Sequence, residues 1–189
     1  MKRAEDEERT RARIVDAAEG LHAELGPARA TIAAIAERAG VTRATVYRHF
    51  PDGDSLFLAC AGQWLARQEL PHPPSWVADD PFVVLNLGLT DIYRYFRAGE
   101  PMLSSVIRDE AVVPALVRDV RLRREQEWRE RLLHRLPGRR RGVVRAAVAH
   151  ATRFGTWRAL CVEEGLTDRA AVDLMLAMTA GAVDGWHHT

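Results

Sequence analysis

Apolar positions recur at intervals of three and four residues along nearly the whole chain. This is the period of an amphipathic α-helix, and no segment shows the sustained apolar–polar alternation of a half-buried strand. In the first such stretch, at about 7–25, one face carries Ile14, Ala18, Leu21 and Leu25. We therefore predict an all-α protein whose helices are separated by short breaks.

Two short helices follow, and each has a start and a stop signal. Thr31 is a suitable N-cap for residues 32–39, and Gly40 ends that helix because glycine accepts positive φ without strain. Thr42 caps the next helix by accepting a bond from a backbone N–H two or three residues on, and Pro51 ends it. A helix, a tight glycine turn and a second helix predict a helix-turn-helix.

The second helix of this pair has a narrow apolar face and a broad polar one. Val46 and Phe50, four residues apart, predict the side that packs in the core, and Val41 forms a hydrophobic staple with Val46. The other positions are small, basic, hydroxyl-bearing or aromatic: Arg43, Ala44, Thr45, Tyr47, Arg48 and His49. Such a helix suits the major groove of DNA, although a solvated surface helix is the alternative explanation.

Caps and breakers predict the helices further along the chain. Asp52 caps a fourth helix, and a helix from Pro81 ends where Gly99 and Pro101 interrupt it. We expect a short helix near 101–110 and long ones at about 114–136, 143–164 and 168–186. Thr167 is the predicted cap of the last one.

Composition limits the classes of function. The 189 residues carry a net charge of only +1, so any attraction to a polyanion has to be local. Between Thr31 and Phe50, three arginines stand against one glutamate. The N-terminus is charged throughout, which argues against a secretion signal. No run of about 20 apolar residues is present, so we expect no membrane span. We expect a cytoplasmic protein.

Three other features have plain structural explanations. Cys60 and Cys161 stand alone, as buried thiols do, and redox sensing is the alternative. Glu19 and His22 have the spacing used in di-iron bundles, but that site needs a second copy of the motif. The arginines between 118 and 135 alternate with acids, which favours pairing on a solvated face over a second nucleic-acid patch. We predict no catalytic residue, metal site or cofactor.

Residues 31–59, TIAAIAERAGVTRATVYRHFPDGDSLFLA, strongly resemble the DNA-binding segment of TetR-type transcriptional regulators. The resemblance covers about residues 10–60 and is carried by Ala36, Gly40, Val46, Tyr47, His49, Phe50, Asp52 and Leu56. The helices beyond it match the family in number and order rather than in motif.

The resemblance implies a helix-turn-helix domain over residues 1–52 and a helical ligand-binding and dimerisation domain over residues 53–189. The residues implied at phosphates are Thr31, Thr45 and Tyr47, and those implied at base edges are Thr42, Arg43 and Ala44. Arg48 and His49 complete the predicted DNA-binding set. Gly53 stands where family members commonly carry lysine, and four acids occupy residues 5–8. We therefore expect electrostatic attraction to contribute little to non-specific DNA affinity.

By the same resemblance, the protein is a repressor that leaves a palindromic operator when a small-molecule inducer binds. Large side chains on the middle helices are the candidates for the inducer site: Trp64, Phe82, Tyr93, Phe96, Met102 and Trp128. Activation, or regulation without a ligand, is the alternative within the family. A helical enzyme or ligand carrier without DNA binding is the alternative outside it, although we predict no enzymatic activity.

The last two predicted helices carry a stripe that suits a two-fold interface between copies of the chain. Its members are small or apolar: Ala147, Ala151, Phe154, Trp157, Ala171, Leu174, Met178, Gly181 and Gly185. Two such helices from each copy would form a four-helix bundle, so we predict a homodimer.

Overall fold

The computed structural model describes residues 2–138 and 141–185, and these ranges contain helices and no strand. Four helices come first: α1 Lys2–Glu24, α2 Ile32–Ala39, α3 Arg43–His49 and α4 Gly53–Ala66. The others are α5 Pro81–Arg108, α6 Ala115–Leu133, α7 Gly142–Ala151, α8 Phe154–Arg158 and α9 Asp168–Asp184. Short 3₁₀ turns lie at Pro73–Ser75 and Glu110–Val112, and a π-helical turn at Ala159–Glu163 continues α8. The predicted all-α fold is confirmed.

The chain folds into two compact units. The first contains the chain up to Gln68 together with Gly99–Val120, and the second contains Glu69–Ala98 together with the chain from Arg121 onward. The predicted DNA-binding domain, residues 1–52, lies within the first unit. Within the described residues, none of the helices combines the length and apolarity needed to cross a bilayer.

The predicted start and stop signals of the helix-turn-helix are present in the structure. The Thr31 hydroxyl accepts a bond of 3.2 Å from the backbone N–H of Ala34. Gly40 ends α2 in the left-handed conformation, with φ at +63°. Thr42 accepts a bond of 3.1 Å from the N–H of Thr45, one of the two donors predicted for it. The turn between the helices therefore forms for the local reasons that the sequence indicates.

The caps of α4 and α9 are also confirmed. The Asp52 carboxylate accepts a bond of 2.7 Å from the backbone N–H of Ser55. The Ser55 hydroxyl donates in turn to the backbone carbonyl of Asp52 at 2.8 Å. The bond from the Ser55 backbone N–H, followed by the interaction with the Ser55 side chain, lowers the pKa of the Asp52 carboxyl. Thr167 accepts a bond of 3.2 Å from the N–H of Ala170. Predicted Trp186, at the end of the last helix, lies outside the described residues.

The first unit has a continuous apolar core built from α1 to α4. Its fully buried members include Ile14, Ala18, Leu21, Ile35, Ala39, Val46, Phe50, Leu56 and Cys60. Three of the four residues predicted for the α1 face are buried, and Leu25 is half-buried. Helix α1 begins at Lys2 rather than at the predicted residue 7, because its first turns are exposed and show no apolar period.

One continuous helix, α5, replaces the two helices predicted to meet at Gly99 and Pro101. A proline inside a helix removes a backbone hydrogen bond and costs about 3 kcal/mol. The turn that follows buries Met102 and Leu103, which are 7% and 5% exposed. A Cβ at Gly99 would lie 2.9 Å from the Trp64 ring, so these residues pack tightly. The predicted break was wrong because this packing outweighs the local signal.

The predicted helix at 143–164 was also wrong, since it is divided into α7, α8 and the π-helical turn. The Thr152 hydroxyl donates to the carbonyl of Val148 at 2.9 Å, just where α7 ends. Arg153 is then extended, with ψ at 137°, before α8 begins at Phe154. A threonine that bonds back to its own helix is a weak sequence signal, which explains why the break was missed.

Candidate nucleic-acid interface

Helix α3 has one buried face and one exposed face. Val46 is fully buried and Phe50 is 3% exposed, which confirms the predicted core side. The opposite side presents four predicted DNA-binding residues as exposed side chains: Arg43, Ala44, Tyr47 and Arg48. Because α3 has only seven residues, this face amounts to two turns with side chains at helical neighbours i and i+4.

The three predicted threonines lie at the starts of the two helices. Thr31 and Thr42 are exposed caps, and Thr45 is half-buried. The Thr42 and Thr45 hydroxyls are 2.9 Å apart, so one donates to the other and the remaining hydroxyl hydrogen is available to an outside acceptor. Capping therefore fixes the position of these hydroxyls while leaving donor capacity for a phosphate.

His49 differs from the rest of the predicted set. Its side chain is half-buried, and its Nε2 atom is buried without a hydrogen-bond partner among the described residues. A contact from this nitrogen to DNA would require the imidazole to rotate outward.

The positive charge at this surface comes from fewer arginines than the sequence suggests. Arg38 is bound to Glu24 by two hydrogen bonds of 2.8 and 2.7 Å, and this contact lowers the pKa of the Glu24 carboxyl. Neither Arg43 nor Arg48 forms an ion pair with a carboxylate in the described ranges. These two arginines are the cations that α3 itself presents.

Gly53, the position where lysine was expected, is exposed at the start of α4. A Cβ added there would meet no atom within 4 Å. A longer side chain would therefore fit, and the absence of lysine is a feature of this sequence rather than a requirement of its packing.

Glu19 and His22 do not point to a common site. Glu19 accepts bonds from Gln63 and Arg67. His22 is buried, its Nδ1 atom lies 3.5 Å from the Cys60 sulfur, and burial lowers its pKa to about 4. Burial raises the pKa of the Cys60 thiol to about 12, so this thiol is not the thiolate that redox sensing requires.

The aromatic side chains of the second unit form one packed cluster, with Phe96 at its centre. The ring centroids closest to Phe96 belong to Phe154 at 5.4 Å, Tyr95 at 5.8 Å, Trp157 at 6.1 Å, Tyr93 at 6.3 Å and Trp128 at 6.5 Å. All six side chains are buried. The Tyr93 hydroxyl donates to the Ala151 carbonyl at 3.0 Å, so its polar end is satisfied inside the protein.

The structure brings together only part of the predicted inducer set. Tyr93, Phe96 and Trp128 belong to the aromatic cluster, and Phe82 is a half-buried residue of the same unit. Trp64 and Met102 belong to the first unit. An inducer at the cluster would have to separate rings that are now in contact.

A small cavity of about 40 Å³ lies elsewhere in the second unit, which is room for a water molecule or two. Trp76, Leu132 and Arg131 are among its lining residues. Arg131 donates to the carbonyls of Pro73 and Trp76, so this guanidinium ties the segment before α5 to α6.

Two arginines of α6 pair along their own helix, whereas Arg118 and Arg131 donate to backbone carbonyls outside it. Arg121 pairs with Glu125 at 2.9 Å, and Arg129 lies 3.6 Å from the same carboxylate. Gln126 donates to Glu130 at 2.8 Å. These are pairs at i and i+4 as the sequence predicted, but Arg121, Glu125 and Arg129 are half-buried rather than on a solvated face.

A family model matches the N-terminal segment that contains this surface. The family model described as bacterial regulatory proteins, tetR family, matches residues 14–60. These residues hold α2, α3 and all the exposed positions of the interface. The likeness to the tetR family is therefore established for residues 14–60.

A curated relative matches a segment of similar length. The HTH-type transcriptional regulator TtgR of Pseudomonas putida is 52% identical over 55 residues, which are 29% of this chain. The match spans only 26% of the length of TtgR. This match therefore supports a similarity in that segment and gives no information on the rest of the chain.

Solved structures extend the likeness to the fold of nearly the whole chain. A TetR-like transcriptional regulator from Rhodococcus sp. RHA1 has a TM-score of 0.68 at 19% identity, covering 93% of this chain and 96% of that one. RolR, solved in complex with resorcinol, has a TM-score of 0.52 at 23% identity, covering 96% and 94%. These similarities concern the fold alone.

Several residues that matter to the two regions were absent from the predicted DNA-binding and inducer sets. Tyr95, Phe154 and Trp157 belong to the aromatic cluster. Tyr95 was missed because it adjoins Phe96 and so lies off the apolar stripe that the period of α5 defines. Arg11 and Arg13 contact the helix-turn-helix from α1, and no local pattern indicates a contact across 26 or more residues.

Proposed function

We propose that the chain is a sequence-specific DNA-binding regulator that inserts α3 into the major groove of its operator. The observation that carries this proposal is the exposed face of α3, with Arg43, Ala44, Tyr47 and Arg48 outward and Val46 and Phe50 anchored inward. Arginine at the first turn suits bidentate bonds to guanine, and the tyrosine hydroxyl suits a phosphate.

The regulator is proposed to be a repressor released by a small, mainly apolar ligand of the second unit. The aromatic cluster supplies flat apolar surfaces, which favours a ligand with an aromatic ring. RolR, a structural neighbour, was solved with resorcinol, a molecule of that kind. Release requires the ligand to bind more tightly to the conformation that cannot bind DNA. A ligand with equal affinity for both conformations would not change the equilibrium between them.

The operator is proposed to be palindromic because two copies of the chain would bind together. Helix α9 keeps Leu174 and Met178 exposed at 40% and 50%, and a Cβ at Gly181 would meet no atom of this chain within 4 Å. Ala151, Phe154, Trp157 and Ala171 of the predicted stripe are buried in the chain's own core, so they are not available to a partner. The interface proposed here is the exposed part of α9.

The proposed DNA-binding function is tested by selecting duplexes from a random pool with the purified protein. We expect an enriched palindromic sequence, hereafter the operator, with half-sites about 34 Å apart or a multiple of that distance. Titration of the operator and a scrambled duplex at several salt concentrations then gives the ratio of the two affinities. Equal affinity for both duplexes would contradict sequence-specific binding, and no binding would favour a ligand carrier or enzyme.

Two further measurements test the ligand and the dimer. Resorcinol and other small phenols are added to the operator complex, and release by at least one of them is expected. Sedimentation of the wild-type chain at micromolar concentration should give a dimer, and Gly181→Leu should weaken it by overpacking the interface. A wild-type monomer would contradict the dimer, whereas operator binding unaffected by every ligand tested would favour a ligand-independent regulator.

A further inference from the structure

Two arginines of α1 contact the helix-turn-helix from outside it. Nη2 of Arg13 donates to the carbonyl of Ala39 and lies 3.4 Å from the carbonyl oxygen of Gly40. The Arg11 guanidinium lies over the Phe50 ring, 5.0 Å from its centroid. The first contact lies at the turn before α3, and the second lies at the residue that caps its C-terminal end.

The Arg13 contact is placed where α2 has carbonyl groups to satisfy. The last carbonyls of a helix have no partner inside it, and a cation there also interacts favourably with the helix dipole. A Cβ at Gly40 would lie 2.9 Å from Nη2 of Arg13, so the guanidinium rests directly on the turn. Arg13 forms no ion pair with a carboxylate in the described part of the chain, and the two groups that it contacts at the turn are both backbone carbonyls.

Helix α3 depends on such external contacts for its orientation. It has seven residues, and helices of this length are marginal by themselves in water. Val46 is its only fully buried residue. A short helix anchored only by Val46 and by Phe50 at its C-terminal end can tilt, and a bidentate bond from Arg43 to a base edge tolerates little tilt.

We propose that Arg13 is a positioning residue for operator recognition. By bonding to the carbonyls at Ala39 and Gly40, it holds the turn and therefore the first turn of α3, where Arg43 lies. This inference rests on the proposed function, because it assumes that α3 reads DNA. It assigns Arg13 an effect on sequence preference, exerted through Arg43.

The rival role for Arg13 is direct neutralisation of a phosphate, since its side chain is exposed. The two roles differ in their salt dependence. Loss of a phosphate contact lowers the slope of log affinity against log salt by about 0.9 and weakens all sequences equally. Loss of a positioning contact weakens the operator selectively and leaves that slope nearly unchanged.

The test compares wild type, Arg13→Ala, Arg13→Lys and Arg9→Ala on operator and scrambled duplexes at three salt concentrations. Arg9 is the matched control, because it lies on the same exposed turns of α1 and pairs with Asp6 instead of the turn. We expect Arg13→Ala to lose about tenfold on the operator, equivalent to about 1.4 kcal/mol, with the scrambled duplex within about twofold. Arg13→Lys keeps the positive charge but not the planar guanidinium, so its loss of operator affinity should be intermediate. Arg9→Ala should match wild type.

Thermal unfolding of each variant establishes that the protein is folded at the assay temperature, and Arg13→Lys keeps the test valid if Arg13→Ala is unstable. Equal losses on both duplexes with a slope reduced by about one would overturn positioning in favour of a phosphate contact. An unchanged preference in Arg13→Ala and Arg13→Lys would overturn the inference alone. A wild-type protein without any preferred duplex would overturn the proposed function itself.

Discussion

The helix-turn-helix and the aromatic cluster around Phe96 are specified by the sequence in different ways. In the first, each helix starts at a threonine whose hydroxyl accepts a backbone N–H within three residues, and the turn needs one left-handed glycine. In the second, Phe96 is held by rings from α5, α6 and α8 that are up to 61 residues away. Capping and turn residues form a pattern that is recognisable in the sequence, whereas contacts between distant residues form none.

The comparisons with known proteins follow the same division. Residues 14–60 match a family model, and 55 residues reach 52% identity with a curated regulator. Beyond that segment, similarity rests on fold at about 19–23% identity. We infer that substitutions on the α3 surface change DNA binding with little effect on stability, and that substitutions in the cluster do the reverse.

The largest expected effect lies in the aromatic cluster. Phe96→Ala should lower the free energy of unfolding by about 3–5 kcal/mol, because it removes a buried ring that touches five others. Phe96→Leu should cost less, since it keeps most of the buried apolar volume. Urea unfolding measures both variants. Under conditions where Phe96→Ala remains folded, a large loss of operator affinity would break the contrast between the two regions.

The second effect is acid sensitivity of the first unit through His22. Its folded pKa of about 4 lies below the ordinary value of 6.5, so the unfolded chain takes up the proton first. Stability is therefore full above pH 6.5 and is lost as pH falls toward 4, by about 2 kcal/mol between pH 7.5 and 5. Urea unfolding of wild type and His22→Leu at these two pH values checks it. The same loss in His22→Leu would show that another group is responsible.

A matched pair of glycines sharpens the contrast inside the first unit. Gly40→Ala should cost about 1–2 kcal/mol, because φ is +63° and the new Cβ would meet Arg13. Gly53→Ala should be neutral or stabilising by up to about 1 kcal/mol, since its surroundings are open. Chemical denaturation of the two variants compares them directly. Equal stabilities would mean that the turn does not depend on the left-handed residue.

The smallest effect separates two helix caps, one in each unit. Thr31→Ala and Thr167→Ala should each cost about 0.5–2 kcal/mol of stability by leaving a backbone N–H uncapped. Only Thr31→Ala should also weaken DNA binding, and Thr31→Ser should restore both properties. Thermal unfolding and duplex titration give the two readouts. A loss of DNA affinity in Thr167→Ala comparable to that in Thr31→Ala would remove the distinction.

The elements that the sequence predicted correctly are those whose causes lie within a few residues. Thr31, Gly40, Thr42 and Asp52 act on their immediate neighbours, so the bounds of α2 and the starts of α3 and α4 follow from them. The continuity of α5 through Pro101 does not, because it depends on the burial of residues in the following turn.

The same limit applies to the candidate sites. The exposed face of α3 follows from its period, but the pairing of Arg38 with Glu24 and the contact of Arg13 with Ala39 join residues 14 and 26 positions apart. The aromatic side chains could be recognised as candidates from the sequence. Their grouping required the structure, which places Trp64 and Met102 in one unit and Phe96 in the other.

The central claim is that α3 reads the base sequence, and Arg43 and Tyr47 test it most directly. Wild type, Arg43→Ala and Tyr47→Phe are titrated against operator and scrambled duplexes at three salt concentrations. Arg43→Ala should cost roughly 1–3 kcal/mol on the operator and much less on the scrambled duplex. Tyr47→Phe should cost about 0.5–1.5 kcal/mol on both, with an unchanged salt slope, because it removes one neutral donor. Equal losses of Arg43→Ala on both duplexes would contradict the claim that this helix reads sequence through Arg43.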